Sequence, residues 1–288
     1  MSDHDFRFGG IARLYGVAGL ARFRSAHVMV VGIGGVGSWV AEALARSGVG
    51  HLSLVDLDDI CVSNINRQLH ALDTTVGLPK VEVMADRIRT ISPEARVEPR
   101  MEFFTAETSR RLLGLESGPE GGGRPDFVVD AIDSMANKVR LIALCHEASI
   151  PIVVCGGAGG RRDPTAVRIS DLAAVTHDRL LSEVRKRLRR EHGFSRNSKK
   201  LKIDCVHSAE APVFPDRDGG VCSARVSDDA TPMRLNCESG YGSATQVTGT
   251  FGFAAAARVL ARLAAAVPAA PSGTTGGPLA GSAPSADA

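Results

Sequence analysis

Gly32, Gly34 and Gly37 stand in G-x-G-x-x-G spacing within GIGGVGS, directly after the apolar run HVMVV and before an apolar-periodic stretch from Trp39 to Arg46. Glycines so placed, with Gly35 in the same turn, permit a tight turn, close approach of backbone to phosphate, and close packing of helix on strand. Asp56 follows the next apolar run, HLSLV, about 20 residues beyond the glycines, where an acid bonds a ribose hydroxyl. The constellation points to a nucleotide, and taken alone its first choice is NAD or FAD. The segments DLDDICVSNINRQ (56–68) and GLPK (77–80) shift that choice. Arg67 and Lys80 would neutralise a triphosphate and its leaving pyrophosphate, Asn64 and Gln68 would fix geometry, and Asp58 would assist the ribose. A nicotinamide cofactor has no leaving group to stabilise, so ATP is the expected ligand and an NAD-dependent oxidoreductase the third reading. Asp133, in VVDAID, is placed to hold Mg2+ near the phosphates. A solvated loop with ordinary surface ion pairs is the alternative for these polar residues.

The elements that must position this chemistry alternate in type. Strands are predicted at 27–31, 51–55, 95–98, 126–130 and 150–155, with helices at 39–46, 80–91, 106–113 and 134–148. Alternation of this kind predicts an α/β, Rossmann-like, doubly wound and mostly parallel sheet. In the second half, β-like pieces at 167–170, 203–207, 213–215 and 221–226 surround a basic helix at 179–192, and an apolar helix runs over 241–266. These read as an appended smaller α+β subdomain with no linker before it. The expected organisation is one ATP-binding domain over 1–266, with a nucleotide-binding half at about 26–160 and a substrate-facing half at about 161–266. ESGPEGGGRP (116–125) reads as a surface loop, and the Pro-, Gly-, Ala- and Ser-rich residues 267–288 as a disordered tail.

The chain has 288 residues, 44% hydrophobic, with 34 Lys+Arg against 32 Asp+Glu, a net charge of +2. Such a composition can bury a sizeable core and excludes wholesale disorder. Only 5% of residues are aromatic, which argues against stacking platforms for single-stranded nucleic acid. The six cysteines include no C-x-x-C pair, so neither a disulfide scaffold nor structural zinc is expected, and a reducing, cytoplasmic setting is. MSDHDFRF at the start carries acids and no apolar centre, unlike a signal peptide. Cys61, Cys145 and Cys155 lie in apolar patterns and are expected in the core. His70, His146, His192 and His207 show no ligand spacing, and none is taken as catalytic.

GIGGVGSW, LVDLDDICVSNINRQ, VGLPKVEVM and VVDAIDS together resemble the ubiquitin-activating-like (ThiF-type) superfamily of adenylating enzymes. By that resemblance Gly34, Asp56, Asp58, Asn64, Arg67, Gln68, Lys80 and Asp133 carry ATP binding and acyl-adenylate formation. The superfamily also contributes an arginine from the partner subunit's N-terminal helix. The corresponding stretch here is RFGGIARLYG, which makes Arg13, then Arg7, the candidate, although Gly10 stands where the family has an arginine. Sulfur-carrier adenylyltransferases keep two zinc-binding C-x-x-C pairs that this chain lacks. RFGGIARLYG, GGAGGRRDPT, NSKKLKIDCVHSAEAPVFP and CESGYGSATQVTGTFGF resemble instead the branch of tRNA threonylcarbamoyladenosine dehydratases. That resemblance implies ATP-dependent activation and cyclisation of the threonyl carboxylate of the modified adenosine beside the anticodon, with Mg2+ and room for a monovalent cation. It also implies a homodimer. Cys237 is a candidate acceptor of persulfide from a cysteine desulfurase, or a structural cysteine. The second reading is therefore a sulfur-relay or carrier-protein adenylyltransferase.

RKRLRREHGFSRNSKKLK (185–202) holds nine Lys/Arg and one acid, Glu191, a local +8 that leaves −6 for the rest of a chain totalling +2. Segregated charge of this kind is the footprint of a polyanion partner, here tRNA, and makes Arg185, Lys186, Arg189, Arg190, Lys199, Lys200 and Lys202 the candidate contacts. A solvated helix face is the alternative. The stretch 241–257 carries no charge but is short for a membrane span and holds Ser, Thr, Gln and Gly, so a buried core or dimer helix is expected and no membrane span.

Overall fold

The computed structural model describes residues 3–116, 123–216, 218–223 and 242–266. Helix α1 (Asp3–Ser25) is followed by β1 (His27–Val31), α2 (Gly37–Arg46), β2 (His51–Val55), α3 (Lys80–Ile91) and β3 (Arg96–Arg100). The short α4 (Ser109–Leu112), β4 (Phe127–Asp130), α5 (Met135–Glu147), β5 (Ile152–Cys155), β6 (Val167–Asp171), α6 (Arg179–Glu191), β7 (Asp204–Ser208), β8 (Phe214–Pro215), β9 (Val221–Cys222) and α7 (Thr245–Ala265) complete the order. Seven strands form one sheet in the order β3-β2-β1-β4-β5-β7-β6. All neighbours in it are parallel except β6, which runs antiparallel beside β7.

The five residues of β1 are all buried because helices cover both faces of the sheet, which is why the strand reads as an unbroken apolar run. Val28 and Val30 enter a core with Val40 and Leu44 of α2, Met84 of α3 and Phe251 of α7. Met29 and Val31 point the other way, into a core with Ile142 of α5 and Leu181 and Val184 of α6.

The α+β portion of the second half is continuous with the nucleotide-binding half. Strand β7 pairs with β5 in parallel, β6 closes the edge, and among the described residues only the β8–β9 pair stands outside the sheet. A non-local parallel pairing leaves no short-range signature in sequence. The uncharged stretch is a core helix: α7 buries Val247, Phe251, Ala255 and Val259. It crosses α2 so closely that a Cβ on Gly252 would lie 2.5 Å from Trp39 Cβ. Its far end is held to β7 by Arg258, whose Nε and Nη2 reach the Asp204 carboxylate at 2.7 and 2.6 Å. Among the described residues no helix is long and apolar enough to cross a membrane.

Candidate nucleotide site and basic face

Strand order reverses between β1, which leads to β2, and β4, which lies on its other side, so a crevice opens at the carboxyl ends of these strands. Gly32 leaves β1 at φ +90, and a Cβ there would lie 2.7 Å from Ala131 O. A Cβ on Gly37, which opens α2, would lie 1.8 Å from Gly32 O. Both glycines are required by the backbone around them. Gly34 differs: the nearest atom to a Cβ built on it is Gln68 Nε2 at 3.8 Å, so its backbone faces open space at the helix N-terminus, where a phosphate could approach.

Two side chains, the partly buried Asp56 and the buried His70, grip the residue between these glycines. Ile33 N donates to Asp56 Oδ2 at 2.7 Å, and His70 Nε2, on a nearly inaccessible ring, donates to Ile33 O at 2.7 Å. The carbonyl can only accept, so the His70 proton sits on Nε2. Burial lowers the His70 pKa to about 4, with the Ile33 hydrogen bond opposing that shift, and the ring is neutral at physiological pH. Asp56 Oδ1 accepts from Asp58 N at 2.9 Å. Burial raises the Asp56 pKa, with the Lys80 charge pulling against it. Each Asp56 oxygen has used one of its two lone pairs and keeps one for a ligand hydroxyl.

Lys80, at the first turn of α3, is buried along its stem and reaches Asp58 Oδ2 at 2.7 Å, while Asp58 itself is exposed. Arg67 Nη1 donates to Ser63 O at 2.5 Å and to Asn66 Oδ1 at 3.0 Å. Its carbonyl receives Trp39 Nε1 and Thr248 Oγ1, which fastens the 62–68 loop to α2 and α7. Asn64 is buried, and its Oδ1 accepts Cys61 N at 3.1 Å, bracing the 3-10 turn Val62–Asn64. The structure therefore assigns Asn64 a place in the loop's framework. Gln68 is buried with Oε1 lacking a hydrogen-bond partner among the described residues.

Asp133 is exposed in the loop after β4. Beneath it lies a pair that sequence reasoning missed: Lys138 Nζ and Asp130 Oδ1 meet at 2.8 Å, both side chains wholly inaccessible. Asp130 Oδ1 also accepts Ile132 N at 3.0 Å, which bends the Asp133 loop over the strand end. Burial raises the Asp130 pKa, opposed by Lys138. No group of three or more His, Cys, Asp or Glu side chains is arranged to hold a metal among the described residues, so Asp133 belongs to no preassembled metal cage.

The cysteines correct one expectation. Cys145 and Cys155 are buried, their thiols pushed up by desolvation, Cys155 to about 12, but Cys61 is exposed. The apolar neighbours of Cys61 suggested burial, whereas Cys61 caps the 3-10 turn and is exposed. Cys237 and residues 267–288 lie outside the described residues.

On α1, Arg13 is exposed ahead of the break at Gly16, and Arg7 pairs with Asp3 at 2.7 Å. On α6, Asp178 caps the helix and Leu181, Val184 and Leu188 bury one face, leaving Lys186 and Arg190 exposed. Lys199, Lys200 and Lys202 follow, also exposed. Arg190 pairs with Glu191. Arg189 is half-buried with its Nε inaccessible, and Arg185 Nη1 donates to Leu172 O and Val175 O at 2.8 and 3.1 Å, bracing the loop before the helix. The structure thus offers the lysines and Arg190 to solvent ahead of Arg185.

The ThiF family model matches residues 10–271, which includes every element from the middle of α1 to the end of α7. The chain belongs to the ThiF family. Among ThiF relatives, it is 49% identical over 260 residues to the tRNA threonylcarbamoyladenosine dehydratase of Escherichia coli K12, covering 90% of this chain and 94% of that one. The Haemophilus influenzae protein of the same name is 46% identical over 264 residues, covering 91% and 95%. A solved structure of the E. coli dehydratase in complex with ATP matches with a TM-score of 0.78 and 45% identity, covering 92% of this chain and 96% of that one. The likeness to these ThiF proteins therefore extends across both halves of the sheet.

Proposed function

We propose that this chain adenylates the threonyl carboxylate of N6-threonylcarbamoyladenosine in tRNA and closes the acyl-adenylate to a cyclic nucleoside, with net loss of water. The observation that carries the proposal is the open Gly34 turn with Lys80, Arg67 and Asp58 in the segment that follows it, in a chain alike over nine-tenths of its length to a dehydratase solved with ATP.

ATP supplies an AMP group that turns a poor electrophile, the carboxylate, into an acyl phosphate with a good leaving group. The residues fit that ligand: Gly34 leaves space at a helix N-terminus, and Asp56 keeps free lone pairs beside it. Asp56 and Asp58 hold the ribose, backbone amides at Gly34 and Gly35 face the phosphates, and Lys80 and Arg67 offset charge on the departing pyrophosphate. Lys80 is held ready by Asp58, which reduces reorganisation on binding. Asp133 would hold a magnesium ion that arrives with the nucleotide. A carboxylate oxygen attacks the α-phosphorus and pyrophosphate leaves. A nitrogen or oxygen of the same side chain then attacks the acyl carbon, loses its proton, and AMP departs with the original carboxylate oxygen. The attacking atom is already tethered, so proximity supplies much of the rate.

Residues 26–160 form the nucleotide half of this scheme and 161–266 the tRNA-facing half, with the exposed cations between Lys186 and Lys202 contacting tRNA phosphates. Phe6, Leu14 and Val17 of α1 are 78 to 81% exposed, apolar surface that a second copy of the chain would cover, which would bring Arg13 across the dimer. The reading is tested by incubating the enzyme with ATP, magnesium and tRNA carrying the modification: pyrophosphate release that depends on the modified nucleoside supports it, and release driven instead by a small carrier protein overturns it.

A further inference from the structure

The motif GGAGGRRDPT lies apart from the residues assigned to the nucleotide, yet its loop leaves β5 at the carboxyl edge, the edge that also carries Gly34 and Asp133. One buried carboxylate joins this loop to the basic helix. Asp178 Oδ1 accepts Leu181 N at 2.9 Å, capping α6, and Asp178 Oδ2 accepts Gly157 N at 2.9 Å. The fit is tight: a Cβ on Gly156 would lie 2.1 Å from Asp178 Oδ2 and 2.9 Å from Leu181 Cδ1. A second tie closes the same junction, because Arg161 Nη2 donates to His177 O at 2.6 Å. His177 takes a left-handed backbone, φ 58, one residue before the cap. Such a conformation is unfavourable for a non-glycine residue and persists where surrounding bonds impose it.

We propose that Asp178 is a positioning residue of the reaction: it fixes the direction of α6 relative to the Gly156–Gly160 loop, so that tRNA phosphates held on the helix place the modified nucleoside at the adenylating crevice. The proposal rests on the reading of the basic segment as the tRNA contact. At 1.5 Å per residue, Arg190 lies about 18 Å along the helix from Asp178, so a small rotation at the cap becomes a displacement of more than an ångström at the far cations. Misplacement on that scale lowers turnover by up to ~100-fold without removing either ligand.

Three variants separate positioning from folding and from binding. Asp178→Ser keeps a cap for α6 but is too short to hold Gly157 as well; Gly156→Ala leaves the carboxylate intact and pushes it off Gly157; Asp178→Asn keeps an acceptor and should retain part of the function. In D178S and G156A the expected result is a kcat ~10- to 100-fold lower at saturating modified tRNA, with ATP affinity and tRNA affinity each within about twofold of wild type. D178N should fall between them and wild type. Wild-type kcat in D178S and G156A overturns the proposal, as does a loss of tRNA or ATP affinity that accounts for the whole loss of rate. The triple variant K186A/K199A/K200A, measured beside them, tests the underlying reading: unchanged tRNA affinity there overturns that reading and the proposal with it.

Discussion

Replacing His70 tests how the glycine turn is held. The ring titrates near 4 in the folded chain and near 6.5 when unfolded. The folded pKa is depressed, so the unfolded state binds more protons below pH 6.5; the stabilisation is complete above 6.5 and drains away as pH falls toward 4. Between about pH 7.5 and about pH 5 this single group removes roughly 2 kcal/mol of stability, since each pH step below 6.5 removes about 1.4 kcal/mol. His70→Gln keeps a donor near the Nε2 position and cannot titrate. Urea unfolding of wild type and H70Q at the two pH values should therefore show a pH-dependent loss about 2 kcal/mol smaller in the variant. His27, which also titrates near 4 through burial, is present in both proteins and cancels from the difference. His70→Phe removes the donor and leaves the Ile33 carbonyl short of a partner, which costs about 1–3 kcal/mol even at neutral pH. Parallel pH profiles in wild type and H70Q, or an H70F protein as stable as H70Q at neutral pH, would refute the role given to His70.

Two further outcomes follow from burial and charge. Lys138→Met strands Asp130 without its cation in a wholly inaccessible position and should destabilise the chain by about 3–5 kcal/mol, while the double variant K138M/D130N recovers most of that loss in thermal unfolding. Neutralising Lys186, Lys199 and Lys200 should reduce the salt dependence of tRNA binding, with the slope of log K against log salt falling by about 1 for each cation that meets a phosphate, and should leave ATP binding unchanged.

Elements set by local pattern were legible from the residues alone. Strands β1 and β2 and helix α3 fall on the predicted boundaries because buried parallel strands are continuous apolar runs and α3 has a regular apolar stripe ended near Pro93. Helix α1 was implied only by resemblance; Gly9, Gly10, Gly16 and Gly19 interrupt any stripe, and the helix is broken at Gly16. The insertion of β7 beside β5 depends on a contact distant in sequence and could not be read from either strand. For the candidate site, residue type and spacing singled out Gly34, Asp56, Lys80 and Arg67. His70, Asp130 and Lys138 escaped because their roles arise from burial and from the carbonyl or amide each one meets. Cys61 was misplaced for the converse reason: Ile60 and Val62 suggested a core position where the backbone forms an exposed turn. Charge counting found the basic segment but could not tell Arg185, spent on backbone carbonyls, from Lys186, left to solvent.

Nucleoside mass spectrometry addresses the central claim most directly. Purified enzyme is incubated with ATP, magnesium and tRNA bearing threonylcarbamoyladenosine, and the tRNA is digested. The account predicts ATP-dependent conversion of the modified nucleoside to a species lighter by one water, abolished in a Lys80→Ala control. A nucleoside left unchanged while the enzyme still forms AMP and pyrophosphate would contradict it.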